Sequence, residues 1–279
     1  MLKEIAIADA YAAGFEFSNK MKIQNHNNLS RYVPHDLYGF EAKYTDDTQM
    51  SIAIVELLLA NQAWTSENIA SSFVTCFKRD QRRGYSKGFY DLLSQINTGA
   101  ELLEKIKPDS TRNGAAMRSV PLGYLNKKIN VVHYATEQAK VTHNTPMGIS
   151  SSCTVALVAH LGLVLNGSIS DIRKFLEAEG FSGWDLNWHT EASVEAFDTI
   201  SAALTCLQST RSTKELLSNC VELGGDTDSV AAIAVGLATC FTEYNKDLPS
   251  SLFELLDEPV YGLEFLSALD SNLSKSFCK

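Results

Sequence analysis

Apolar positions recur at helical spacing along most of this chain, and two stretches stand apart from the rest. Ser51-Ile52-Ala53-Ile54-Val55-Glu56-Leu57-Leu58-Leu59-Ala60 is strongly apolar, and Val230-Ala231-Ala232-Ile233-Ala234-Val235-Gly236-Leu237-Ala238 is apolar on every side. A helix of the second kind belongs inside a protein rather than on its surface. The pattern predicts further helices at 2–13, 66–79, 87–96, 98–106, 113–126, 131–141, 147–165, 168–179, 191–208, 212–222, 250–256 and 261–270. The two apolar helices occupy the segment after Thr45 and residues 227–244. Breaks fall at Arg82-Arg83-Gly84-Tyr85, Pro108, Asn166-Gly167 and Gly180, where glycine or proline interrupts the period. Strand-like alternation between hairpin turns is almost absent, so the expectation is an all-α fold. Two segments, 20–43 and 182–190, lack any period and are read as long loops of functional length. No linker, repeat or low-complexity tract divides the chain, which predicts a single domain spanning residues 1–279.

Composition narrows the range of partners. With 24 basic against 33 acidic residues, the formal net charge of -9 argues against nucleic acid or an anionic membrane as the main partner, while leaving room for a local basic pocket. Cys76, Cys153, Cys206, Cys220, Cys240 and Cys278 form no CxxC pair and lie mostly among apolar helical residues, as reduced thiols do. Met1-Leu2-Lys3-Glu4-Ile5 has no signal-peptide core, and no run approaches the length of a membrane span. A cytoplasmic monomer is expected.

Both apolar segments open on acids. Thr45-Asp46-Asp47 precedes the first, and Asp226-Thr227-Asp228-Ser229, after Gly224-Gly225, precedes the second. No Lys or Arg occurs between Lys43 and Lys78 or between Lys214 and Lys246. Acids at a helix start cap free N–H groups and complement the helix dipole, but one oxygen per helix suffices for that. Burial of unpaired carboxylates is costly, so the compensating charge must come from elsewhere. Four carboxylates with Thr and Ser hydroxyls make an all-oxygen donor set suited to Mg²⁺ or Mn²⁺ rather than zinc. Four acids exceed what one Mg²⁺ usually takes, which points to two cations.

These motifs resemble those of the ADP-ribosylglycohydrolase family, which includes dinitrogenase reductase-activating glycohydrolases and ADP-ribosyl-arginine hydrolases. Tyr44-Thr45-Asp46-Asp47-Thr48 and Gly225-Asp226-Thr227-Asp228 carry the likeness. Ala8-Asp9-Ala10, Arg112-Asn113-Gly114-Ala115-Ala116-Met117-Arg118 and Thr142-His143 follow the family's order. Ser229 and Ala8 depart from it, standing where Thr and Gly are more usual. The resemblance implies that Thr45, Asp46, Asp47, Asp226, Asp228 and Ser229 hold two Mg²⁺ or Mn²⁺ ions, with Asp46 or Asp226 taking the proton of the attacking water. It implies hydrolysis of the glycosidic bond joining ADP-ribose to a protein side chain or a small conjugate. Glu16 matches a glutamate close to metals and substrate in some members and is the candidate general acid or base. A further acid expected near Gly84–Lys87 has no counterpart, since Asp80 is out of register.

For the substrate's diphosphate, Asn113, Gly114, Ala115 and Met117 at a predicted helix start offer backbone N–H groups. His143 is the candidate substrate contact beside them. Arg118 is either part of that region or a core-edge ion-pair partner, and Tyr85, Trp184 and Trp188 are candidate platforms for adenine. The competing reading is a non-catalytic descendant that binds ADP-ribose or a nucleotide, or a structural protein like the family's lens-crystallin relatives. Retention of all six ligand positions favours catalysis.

Overall fold

Burial orders the helices. The computed structural model describes residues 1–277, so Cys278 lies outside the described residues. Its helices are α1 (Leu2–Ala13), α2 (Lys20–His26), α3 (Asp46–Leu59), α4 (Ser66–Arg79), α5 (Lys87–Gln95), α6 (Gly99–Lys105) and α7 (Lys128–Lys140). They continue with α8 (Pro146–Leu163), α9 (Ile172–Ala178), α10 (Ala196–Ser209), α11 (Thr213–Leu223), α12 (Thr227–Ala238), α13 (Ser250–Glu254) and α14 (Leu263–Phe277). Every position of α12 is buried, α3 is buried except at Glu56 and Leu59, and α1 is buried except at Lys3 and Glu4. The amphipathic α4 buries Ile69, Ala70, Phe73, Val74, Cys76 and Phe77, the one-sided stripe expected of an outer helix. No strand occurs among the described residues, so the all-α expectation holds and the chain forms a single compact domain.

α1 and α12 form the central pair. At Gly236 a Cβ would lie 2.8 Å from Ile5 Cγ1, so the absence of a side chain there lets the two helices approach. Thr227 Oγ1 donates to the Ala12 carbonyl at 2.8 Å, and the Phe17 N–H donates to the Gly225 carbonyl at 2.8 Å. The C-terminal end of α1 therefore meets the N-terminal end of α12. α8 has the length and apolarity of a membrane span, yet most of it is buried inside the protein, as a core helix is.

Several predicted boundaries shift, α12 ending at Ala238 rather than 244 and α14 running to Phe277 rather than 270, and three further departures shape the site. Residues 20–43 are not all loop: Lys20–His26 is helical, capped by Asn19, whose side chain accepts from the Lys22 N–H at 3.0 Å. Only Ile23 of that helix is buried, so no apolar period announces it. The predicted helix 113–126 is instead two short 3-10 turns, Asn113–Ala115 and Val120–Tyr124, the second carrying Pro121 in its first turn. The predicted helix 191–208 begins only at Ala196, because 192–195 is extended. In that segment the Ala192 N–H bonds the Gly224 carbonyl, the Asp226 N–H bonds the Ala192 carbonyl, and the Asn113 N–H bonds the Val194 carbonyl.

Candidate functional site

The extended segment 192–195 brings the acids together. It is hydrogen-bonded on one side to the Gly224-Gly225 turn and on the other to the turn carrying Asn113, and so holds Asn113 against Asp226. Gly225 has φ +80, and a Cβ there would lie 2.0 Å from the Ala192 carbonyl oxygen, which makes glycine necessary at this crossing. Asn113 Nδ2 then donates to Asp226 Oδ2 at 2.5 Å and to Thr199 Oγ1 at 2.9 Å.

At the start of α3 the organiser is Asp9, on the buried face of α1. Its carboxylate accepts from the Thr45 N–H at 3.0 Å, Thr45 Oγ1 at 2.8 Å, the Thr48 N–H at 3.0 Å and Thr48 Oγ1 at 2.5 Å. Asp9 thereby satisfies the first turn of α3 from another helix and aligns Asp46 and Asp47 with α12. One oxygen each from Asp9, Asp47 and Asp228 lies within 4.8 Å of the others, and the same is true of Glu16, Asp226 and Asp228. Asp228 belongs to both groups.

The electrostatics of this cluster are unfavourable as it stands. Asp9, Asp46, Asp47, Asp226 and Asp228 are all buried, and none forms an ion pair with a Lys, Arg or His among the described residues. Burial, then the neighbouring carboxylates, holds Asp46, Asp47 and Asp228 well above the usual carboxylate range. Burial and the Glu16 charge push Asp226 up to about 7. Asp9 rises to about 6, because burial outweighs its bonds from Thr48 and Thr45. Asp47 Oδ1 is buried without a hydrogen-bond partner. Buried oxygens without cations or enough donors fit a hard metal ion as the missing positive charge.

Glu16, Asp46, Asp47, Asp226 and Asp228 line a cavity of about 700 Å³ together with Tyr85, Asn113, Gly114, Met117, Arg118 and His143, while Asp9 lies outside the lining. Of the predicted site residues, Glu16, Asp46, Asp47, Asn113, Gly114, Met117, His143, Asp226, Asp228 and Ser229 line it. Thr45 lies behind this wall with its hydroxyl donating to Asp9. Ala115 is fully buried, and its carbonyl accepts from Ser119 Oγ and Gln138 Nε2, so it faces the core rather than the cavity. The helix-dipole argument for 113–117 also falls, since Asn113–Ala115 is one 3-10 turn and the Asn113 N–H is taken by Val194. Trp184 and Trp188 are absent from the lining, bonding Thr154 and Phe181 in one case and Thr190 in the other. Tyr85 does line it, with its hydroxyl donating to Gln49 Oε1 at 2.6 Å. Among the described residues Arg118 forms no ion pair, and its bonds go to Gln138 and Thr142.

Two residues of the site carry no role in the sequence reading. Asp9 appears there only within the Ala8-Asp9-Ala10 motif, which together with its place in an otherwise apolar helical stretch is the available signal. His35 lies in the long loop with nothing in its spacing to mark it. Its Nδ1 accepts from the Leu37 N–H at 3.0 Å, so its Nε2 carries the proton donated to Glu16 Oε2 at 2.7 Å.

Near Gly84, where a further acid was sought, the backbone itself packs on the site. Gly84 has φ +105, and a Cβ there would lie 2.0 Å from Asp46 Oδ1 and 2.8 Å from Thr45 Cβ. Asp80 instead bonds Arg82, which also donates to the Tyr44 carbonyl at 3.0 Å and so braces the same loop. Gly84→Ala is expected to displace Asp46, destabilise the fold by about 1–3 kcal/mol, and reduce the thermal stabilisation gained from added Mg²⁺. Melting curves with and without Mg²⁺ check this, and an unaltered Mg²⁺ increment would refute it.

The comparisons with known proteins agree on one family. The family model described as ADP-ribosylglycohydrolase matches residues 5–277. An ADP-ribosyl-[dinitrogen reductase] glycohydrolase from Rhodospirillum rubrum is 27% identical over 268 residues, covering 92% of this chain and 88% of that one. ADP-ribosylhydrolase ARH3 from Xenopus tropicalis is 25% identical over 256 residues, covering 71% and 73%. A solved structure titled ADP-ribosylglycohydrolase-related protein complex shares the fold, with a TM-score of 0.76 and 21% identity over 98% of this chain and 95% of that one.

Proposed function

The chain belongs to the ADP-ribosylglycohydrolase family and is a hydrolase acting on glycosidic bonds, and from that premise we propose that it releases ADP-ribose from ADP-ribosylated protein side chains with the help of two Mg²⁺ or Mn²⁺ ions. The observation that carries this reading is the pair of acid groups that share Asp228, of which Glu16, Asp47, Asp226 and Asp228 line the cavity. Asp9, Asp47 and Asp228 would hold one cation, and Glu16, Asp226 and Asp228 the other. Bound there, the cations supply Lewis-acid charge that activates water and gathers ribose hydroxyls.

The chain's own residues divide the remaining work. Asp46 is on the cavity wall but outside both groups, and in this reading it accepts the proton of the attacking water. Glu16, expected as a general acid or base, is in this reading a cation ligand, and its Oε2 accepts from His35 Nε2 at 2.7 Å. Asn113 orients Asp226 and, with Gly114 and Met117, forms the wall on which the diphosphate lies. The exposed Lys87, Lys105, Lys107 and Arg112 on the same lining suit an anionic substrate despite the net charge of -9. Action as a monomer is part of this proposal. Free, buried Cys76, Cys153, Cys206, Cys220 and Cys240 support a reducing, cytoplasmic setting.

The test is a panel of arginine- and serine-linked ADP-ribosylated proteins incubated with Mg²⁺, Mn²⁺ or excess EDTA. Release of free ADP-ribose is expected with the divalent cations and not with EDTA. Turnover unchanged by EDTA would overturn the cation assignment, and tight ADP-ribose binding without turnover on any substrate would favour a non-catalytic role.

A further inference from the structure

Arg118 is unusual among the cations of this protein. It is 1% exposed, stacks on the Phe73 ring with its guanidinium carbon 4.3 Å from the centroid, and forms no ion pair among the described residues. Burying a guanidinium without a carboxylate is costly, so its bonds merit close reading. Nε donates to Gln138 Oε1 at 2.5 Å, and Nη2 donates to the Gln138 carbonyl at 3.2 Å and to Thr142 Oγ1 at 2.7 Å. Gln138 is itself held by Nε2 bonds to the Ala115 carbonyl, Ser119 Oγ and Ser152 Oγ. The guanidinium is thus set in a buried polar network with little freedom.

The direction of the next bond follows from donor chemistry. A guanidinium has only donors, so Thr142 Oγ1 accepts from it. The hydroxyl has one proton, and its other neighbour is His143 Nδ1 at 2.6 Å. The oxygen has lone pairs enough to accept from both neighbours, but Nδ1 is the one acceptor among its hydrogen-bond partners for the hydroxyl proton, so donation to Nδ1 is the arrangement that leaves no buried donor unmet, and a neutral ring with Nδ1 accepting carries its proton on Nε2. The ring is buried, and burial with the Arg118 and Arg112 charges lowers its proton affinity strongly, so it is neutral near pH 7. Its Nε2 edge lies against Gly114: a Cβ there would sit 2.9 Å from Cε1 and 3.1 Å from Nε2. Both residues line the cavity.

We propose that Arg118 is a positioning residue which, through Thr142 Oγ1, fixes His143 in the Nε2–H tautomer and so presents an N–H donor beside Gly114 to an anionic oxygen of the substrate. The substrate class rests on the reading given under Proposed function, whereas the tautomer rests on the hydrogen-bond chain alone. A purely structural Arg118 would support the fold without dictating which ring nitrogen carries the proton.

The experiment uses the full chain with Mg²⁺ and ¹⁵N-labelled histidine, the His143 signals being assigned by their loss in His143→Gln. The wild-type ring is expected to show a bare Nδ1 and a protonated Nε2. Thr142→Val, a near-isosteric change that leaves Arg118 in place, is expected to remove the tautomer preference and weaken binding of ADP-ribose, the probe, by about 10- to 100-fold. Thr142→Ser is expected to restore both. Arg118→Met is expected to scramble the tautomer, and Thr142→Val keeps the question answerable should Arg118→Met fail to fold. A proton on Nδ1 in the wild type, or wild-type affinity and tautomer in Thr142→Val, would overturn the relay. Absence of ADP-ribose binding by the wild type would count against the functional reading, and the ring spectra would still decide the relay.

Discussion

Replacing Asp228 by Asn is expected to lower ADP-ribose release on the order of 10³-fold, while making the metal-free protein more stable. The carboxylate belongs to both acid groups, so its loss removes an oxygen ligand from each. The same carboxylate is buried among Glu16, Asp226, Asp47 and Asp9, all of which raise its proton affinity after burial itself. Without cations it is a source of repulsion. An amide of the same shape relieves that repulsion, and a gain of about 1–3 kcal/mol is expected for the metal-free fold. Initial rates with Mg²⁺ and urea melts in EDTA measure the two effects. A variant that keeps a tenth of the wild-type rate, or that is less stable than wild type in EDTA, would contradict the assignment. The opposite signs are the useful feature, since a side chain serving only the fold would lose activity and stability together.

Metal-free protein is expected to lose stability as the pH rises from 6.5 to 8.5, and Mg²⁺ to restore it. In the folded chain Asp226 is pushed up to about 7, and Asp46, Asp47 and Asp228 well above their ordinary range. A carboxyl whose pKa is raised on folding stabilises the fold below its unfolded value near 4, and that contribution is lost as the pH climbs through the folded value. The folded state binds more protons than the unfolded state in this window, so stability falls by about 1.4 kcal/mol per pH unit for each fully coupled proton. His143 acts in the other direction. Its pKa is pushed down to about 3, so its contribution is present above the unfolded value near 6.5 and disappears only as the pH falls toward 3. Starting at pH 6.5 therefore separates the two. Cations compete with protons for the same oxygens, so the Mg²⁺ increment in melting temperature should be larger at pH 8.5 than at pH 6.5, reaching about 5–10 °C. Calorimetry at both pH values with EDTA or Mg²⁺ gives the answer, and an increment that shrinks with rising pH would exclude the buried carboxylates as the cation site.

How much of this was legible beforehand differs from residue to residue. α3 and α12 were plain, because an apolar run of helical length that opens on acids needs only neighbouring residues to be recognised. The absence of Lys and Arg around both runs also carried through, since among the described residues no cation pairs with Asp46, Asp47, Asp226 or Asp228. Asn113, Gly114, Met117 and His143 line the cavity, but by a route the sequence pattern did not express. The expected helix start at Asn113 is a 3-10 turn, and Asn113 reaches Asp226 because an extended strip at 192–195 binds both turns. That strip has no periodic signature of its own, so the helical period of 196–208 extends over it in the sequence pattern.

What the sequence by itself determined is the helical class and the deficit of charge: mostly helical, with carboxylates at the mouths of two buried helices and no local cation. Helical period, capping and burial are properties of near neighbours along the chain, so they can be read in one dimension. The tertiary structure decided which carboxylate oxygens come within reach of one another. Asp9 enters the group with Asp47 and Asp228, Glu16 enters the group with Asp226 and Asp228, and Asp46 belongs to neither. Oxygens from α1, α3 and α12 meet within 4.8 Å only because Thr227 bonds the end of α1 and Asp9 bonds the start of α3. Distances across 36 or 215 residues of chain are set by how helices cross and where their ends are tied, and no local pattern encodes them.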